Sequence, residues 1–172
     1  MLFTIFFVES SSSAGLSGAG LQRETLEILQ EATRVLAGVA LRSLDVLDGA
    51  VTLPQFRMLA VLADLGQARS VQVAQALGLE ASTVTRLADR MVAAGYVRRG
   101  GEPRHRGVVT LELTESGKDL VGQVAAWRER ELARIFRQLP PAGQTQAIRA
   151  LRQLIAAAGE GYGTISRGLV PV

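Results

Sequence analysis

The chain is 172 residues long, 48% hydrophobic and 20% charged, which suffices to bury the core of one domain carrying added arms. It has no cysteine and one histidine, His105, so disulfides, thiolate metal sites, a cysteine nucleophile and histidine-pair metal sites within one chain are excluded. The net charge is only +3, but Arg86, Arg90, Arg98, Arg99, Arg104 and Arg106 crowd together against Asp89 and Glu102, a local +4 on a near-neutral body and the footprint expected of nucleic-acid contact.

The chain begins M-L-F-T-I-F-F-V-E. The apolar run from Leu2 to Val8 is too short to span a bilayer and lacks the basic flank of a secretory signal. A cytoplasmic protein without a membrane partner is expected, with a signal peptide as the alternative. Ser10 to Gly20 is rich in serine, glycine and alanine, so residues 1–20 read as a flexible or partner-packed extension.

Leu21 to about Leu47 reads as a long helix. Leu21, Ile28, Leu29, Ala32, Val35, Leu36, Val39 and Leu47 form one stripe, and Asp48-Gly49 breaks it. Thr52-Leu53-Pro54-Gln55 has the form of a capping box with proline in the first turn, opening a helix with Phe56, Leu59, Ala60 and Leu62 that stops near Gly66. Val51 or the Arg69 region can add one short strand. Ser70 can cap a third helix, Val71 to Leu77, with Val73, Ala74 and Leu77 inward and Gly78 as its stop.

The stretch from Glu80 to Gly95 organises the rest. Val84, Leu87, Ala88, Met91 and Val92 recur at helical steps, while Ser82, Thr83, Thr85, Arg86, Asp89 and Arg90 occupy the other face. Any surface helix can carry such a solvated face. Here it follows a short helix across Leu77-Gly78-Leu79-Glu80, the spacing of a helix-turn-helix whose second helix enters the major groove. There, hydroxyls suit several base edges and a guanidinium pairs bidentately with guanine.

Tyr96 to Arg99 reads as a strand, Gly100 to Gly107 as an arginine-rich tip, and Val108 to Leu113 as the returning strand. Beside a recognition helix, such a hairpin is a wing whose tip can touch phosphates or enter the minor groove. Thr114 can cap a long helix with Leu120, Val124, Trp127, Ile135 and Leu139 on one face and Lys118, Asp119, Arg128, Arg130 and Arg134 on others, ended by Pro140-Pro141. Ala142 to Ala158 forms a final helix with Ala147, Ile148, Leu151, Leu154 and Ile155 apolar, and the glycines beyond it lead into a loose tail.

The fold expected is mainly α. An N-terminal dimerisation helix falls within residues 21–50, a winged helix-turn-helix DNA-binding domain within 51–113 and C-terminal dimerisation helices within 114–159, followed by the tail at 160–172. The apolar stripes of the outer helices need cover, either from one another within one chain or from a second copy. A symmetric homodimer matches palindromic DNA half-sites.

These residues carry a family likeness. T-L-P-Q-F-R-M-L, V-A-Q-A-L-G-L, S-T-V-T-R-L-A-D-R-M, G-Y-V-R-R and V-V-T-L-E-L-T-E-S-G, in this order and spacing, resemble MarR-type winged-helix transcription regulators from about Leu21 to Ala158. The resemblance implies a homodimer on a palindromic double-stranded operator. It also implies repression relieved by a small, often aromatic or anionic, effector. It places Ser82, Thr83, Thr85 and Arg86 in the major groove beside Arg90. Arg106 falls at the first arginine of the family's Asp-Arg-Arg wing motif, which here reads His105-Arg106-Gly107. Losing the aspartate that orients the arginines implies a less rigid wing tip, for which Arg104 can compensate. Glu80 stands where a small capping hydroxyl is usual; a carboxylate suits a helix N-terminus but opposes a phosphate there.

Trp127, Phe56 and Phe136 can either line an effector pocket or belong to the core. His105, on an exposed loop, reads as solvated rather than as a pH switch or metal ligand. No enzyme, cofactor or metal is expected, because a serine triad lacks a base and no phosphate-binding glycine loop is present. A thiol oxidant is excluded as inducer for want of a cysteine. The competing reading is a winged-helix module for sequence-independent DNA packaging or for protein contact.

Overall fold

A computed structural model describes residues 23–102 and 105–159, with the side chains of all of these except 102–108. The extension expected at 1–20 and the tail expected at 160–172 lie outside the described residues, as do Leu21 and Arg104. The chain divides at Arg34/Val35 into two compact units. The described part of the first is the opening of helix α1 (Arg23–Arg42), where Arg23 and Glu27 pair at 3.6 Å and the Thr33 hydroxyl donates to the Leu29 carbonyl at 2.8 Å.

α1 ends earlier than its stripe suggests. The Ser43 hydroxyl donates to the Ala40 carbonyl at 2.6 Å, and this local bond competes with continued helix. The chain tightens into a 3-10 turn, Asp45–Leu47, and then leaves through Asp48 at φ 45°.

The second unit continues with α2 (Leu53–Leu65), β1 (Ala68–Arg69), α3 (Ser70–Leu77), α4 (Ala81–Ala93), β2 (Val97–Glu102), β3 (His105–Leu113), α5 (Glu115–Phe136) and α6 (Pro141–Ala158). The three strands form one antiparallel sheet in the order β1-β3-β2. The fold is mainly α with a small antiparallel sheet, a winged helix-turn-helix, as the sequence led one to expect.

Local chemistry explains the helix starts. At α2 the Gln55 side-chain oxygen accepts from the Thr52 backbone N–H and hydroxyl at 2.7 and 3.0 Å. At α3 the cap falls one residue earlier than expected. Arg69 is held extended by pairing with Thr110 of β3, which is already N-cap geometry, and the Gln72 side chain accepts its N–H at 2.9 Å. Ser70 is therefore the first helical residue. The core gathers Phe56, Met58, Leu59 and Leu62 of α2 with Val73, Val84, Met91 and Val124, all essentially solvent-free. Phe56 is thus core, while Trp127 and Phe136 are half-buried.

The wing differs from its sequence reading. Gly100 to Glu102 and His105 to Gly107, expected in the tip, lie within the strands. Pairing runs regularly from Val97↔Leu113 to Gly101↔Val109 and then shifts, so that Glu102 faces His105. Glycine has no side chain to fix register, so the alternation that marks a strand is lost at Gly100-Gly101.

Arg128 also departs from its expected place off the apolar face of α5. Its charge suggests a solvated face, yet it is only 6% exposed. One terminal nitrogen donates to the buried Ser43 hydroxyl at 2.9 Å, its Nε and other terminal nitrogen have no partner among the described residues, and burial lowers its pKa. A buried cation held by one neutral bond is costly. Ser43→Ala, which removes that bond, is expected to destabilise the protein by about 1–3 kcal/mol. Adding Arg128→Met should recover the loss. Urea midpoints of the single and double variants check both signs.

Candidate nucleic-acid interface

The recognition helix is placed by its neighbours on both sides. α3 stops at Gly78, whose φ of 65° is accessible to glycine without strain, and the Leu79 N–H returns to the Ala74 carbonyl at 3.0 Å. α4 then starts from an extended Glu80 with no side-chain cap. Val84, Leu87, Ala88 and Met91 are buried beneath it, as their spacing requires, and Val92 is half-buried. This anchoring turns the opposite face outward.

At the far end, Gly95 takes φ 80° and the Tyr96 N–H returns to the Met91 carbonyl at 3.0 Å. The same corner is tied to the start of α5. Thr114 donates its N–H to the Tyr96 carbonyl (3.0 Å) and its hydroxyl to the Gly95 carbonyl (2.7 Å), while its hydroxyl oxygen accepts from the Gly117 N–H (3.1 Å). One threonine thus caps α5 and fixes the end of α4.

On the outward face Ser82, Thr85, Arg86 and Arg90 are exposed and Thr83 is half-buried. A shallow concavity of about 220 Å³ is bounded by Thr83, Arg86, Leu87 and Arg90. The Thr85 hydroxyl donates to the Ala81 carbonyl at 3.0 Å, so its proton is engaged and the oxygen is left as an acceptor. That restricts Thr85 to partners that donate, such as a base amino group. Arg86 and Arg90 form no ion pair among the described residues.

Two other arginines of the basic cluster are occupied. Arg99 of β2 pairs with Asp89 of α4, and Arg98 Nε pairs with Glu112 Oε1 at 2.9 Å. The first link joins the recognition helix to the wing. The second joins directly opposed residues of β2 and β3, and sequence reasoning missed it because it follows only from the strand register. Arg106 lies on β3 with its side chain outside the described residues, and Arg104 lies wholly outside them. Among the described residues, the structure therefore gathers Ser82, Thr83, Thr85, Arg86 and Arg90 on one surface. It leaves the wing-tip arginines unplaced.

Among the described residues no group of three or more histidines, cysteines or acids could hold a metal ion. None of their helices is long and apolar enough to cross a membrane.

Comparison with known proteins agrees with this geometry. Residues 51–106 match the sequence model of the MarR family. The HTH-type transcriptional regulator YfiV of Bacillus subtilis is 28% identical over 123 residues, 69% of this chain and 68% of that protein. Among solved structures, RV1404 from Mycobacterium tuberculosis is similar at 32% identity and a TM-score of 0.75, covering 85% of this chain and 100% of that one. A MarR family protein from Bacillus stearothermophilus is similar at 28% identity and a TM-score of 0.67, covering 79% of this chain and 96% of that one.

Proposed function

The chain belongs to the MarR family of DNA-binding transcriptional regulators, and from that premise we propose that it is a dimeric cytoplasmic repressor, released from a palindromic operator by a small molecule. The observation that carries the reading is the outward face of α4, where hydroxyls and two arginines without carboxylate partners among the described residues stand on a helix anchored from beneath.

Three physical contributions make up the mechanism. Arg86, Arg90 and the wing arginines Arg104 and Arg106 neutralise phosphates and release counterions, so affinity falls as salt rises. Ser82, Thr83, Thr85 and Arg86 read base edges, a good bidentate contact contributing about 1–3 kcal/mol of discrimination. The outer helices of two subunits then set the distance between recognition helices, and an effector that favours another spacing draws the population away from DNA.

Support for a second copy comes from the apolar residues left outside the core. α6 buries none of its residues, and Ile148, Leu151, Leu154 and Ile155 are 44–71% exposed along it. Val35, Leu36 and Leu41 of α1 are also exposed. Contiguous apolar surface of this kind marks an interface. Leu151→Glu with Ile155→Glu is expected to convert a dimer into a monomer that binds operator at least about 100-fold more weakly, because two half-sites no longer act together. Sedimentation equilibrium and DNA titration of the same sample check this.

Regulatory sign is tested by transcription in vitro from the promoter ahead of the protein's own coding region. A repressor lowers transcript yield as protein is added. A rise in yield would establish an activator instead. No catalytic role is proposed.

A further inference from the structure

The N-terminal end of α4 carries a charge of the wrong sign for a partner lined with phosphates. Glu80 is exposed and extended immediately ahead of the helix, and the helix does not use its carboxylate. The Thr83 and Val84 N–H groups donate to its backbone carbonyl, at 3.0 and 3.2 Å, and no cap bond reaches its side chain. Nor does it form an ion pair among the described residues. The starts of α2, α3 and α5 differ. There the Gln55 and Gln72 side chains and the Thr114 hydroxyl are spent on the helix itself.

An acid in this place repels each phosphate that approaches the end of the helix. The helix dipole makes it tolerable in the free protein but contributes nothing to holding DNA. Such a group lowers affinity for DNA in general unless the groove offers it a donor. A carboxylate can only accept, and the donors in the major groove are base amino groups, cytosine N4 and adenine N6. Thr85, further along the helix, is left as an acceptor too, because its proton goes to the Ala81 carbonyl. Arg86 beside it only donates. Two acceptors with a guanidinium fork complement a groove edge that mixes amino groups with guanine N7 and O6.

We infer that Glu80 is a specificity-determining residue, which penalises phosphate contact on any DNA and is offset only where the operator presents a base amino group to it; the inference rests on the regulator reading above. Discrimination then comes from rejecting wrong sequences as well as from holding the right one.

Glu80→Ala removes both the charge and the acceptor, whereas Glu80→Gln removes the charge and keeps an acceptor oxygen. Wild type and both variants are each used to select duplexes from a library with a randomised centre. Their affinities for the wild-type selection and for scrambled DNA of equal length are then measured by anisotropy. Both variants are expected to bind scrambled DNA about two- to fivefold more tightly. Glu80→Ala is expected to lose about tenfold or more in the ratio of selected to scrambled affinity, the worth of one base contact. It should also lose a preference for cytosine or adenine at one position of each half-site, and the base that wild type prefers there identifies the amino group. A residue that served only the helix dipole would lower the melting temperature of both variants and leave the ratio and the selected sequences unchanged; that result would overturn the inference. So would an equal gain on both DNAs, which would make Glu80 a brake without discrimination. A wild-type protein that selects no sequence would instead overturn the regulator reading and the discriminating role with it, while the variants' affinity for scrambled DNA would still read the repulsion by itself.

Discussion

Replacing Gly117 with alanine is expected to cost about 3 kcal/mol or more of stability, at the upper end of what overpacking produces. The reason lies in the joint between α4 and α5. A Cβ at Gly117 would be driven into the Tyr96 carbonyl oxygen, far inside contact distance, with Leu113 Cδ2 close behind at 3.3 Å. The atom it meets is backbone, fixed by the Thr114 N–H at 3.0 Å, and cannot swing aside as a side-chain end would. Relief requires α5 to lift from the corner, which would break the bonds from Thr114 to Gly95 and Tyr96. For a chain of this size the loss corresponds to a melting temperature lower by about 6–12 °C. Gly122→Ala, on the same helix with open space at its Cβ, is the matched control and should gain about 0.5–1 kcal/mol from helix propensity. Thermal unfolding of both variants at one protein concentration checks the pair. A Gly117→Ala protein as stable as wild type would mean that the corner yields freely.

Arg86→Ala is expected to weaken binding to operator DNA by about 1–3 kcal/mol and binding to random DNA by less. Arg86 is exposed on the anchored face of α4, has no carboxylate partner among the described residues, and borders the concavity with Thr83 and Arg90. A guanidinium so placed is free to form the planar fork that guanine accepts. Arg99 makes the instructive contrast. It lies in the same basic cluster but is paired with Asp89, so Arg99→Ala should change specific affinity less than Arg86→Ala does. Anisotropy titrations on operator and scrambled DNA separate the cases. Equal losses from Arg86→Ala on both would assign that residue to phosphate alone.

Much of this architecture was legible from residue spacing. The buried face of α4 follows from Val84, Leu87, Ala88 and Met91 at helical steps, and its end follows from Gly95, since only a residue at ease with φ 80° leaves the helix there cheaply. Thr114 was legible as a cap because capping is local. Its second role was not, because the Gly95 carbonyl lies 19 residues away in sequence and only tertiary packing brings the two together. The charge of Arg128 sets it off the apolar face in a sequence reading, but its position four residues after Val124 puts it on the buried stripe of α5. The pairings that silence Arg98 and Arg99 were hidden for a similar reason. Composition counts the cluster at +4, but strand register and helix docking decide which guanidiniums remain available.

The central claim is that this winged helix recognises a sequence and not merely a polyanion. Its most direct test is fluorescence anisotropy on the DNA upstream of the protein's own coding region, beside scrambled DNA of equal length, across a salt series. A sequence-specific regulator binds the upstream DNA tighter by about a thousandfold or more, and both affinities fall with salt as counterions are released. Equal affinity for the two DNAs with the same steep salt dependence would contradict the claim and favour sequence-independent packaging; no binding to either at low salt would contradict it in favour of protein contact.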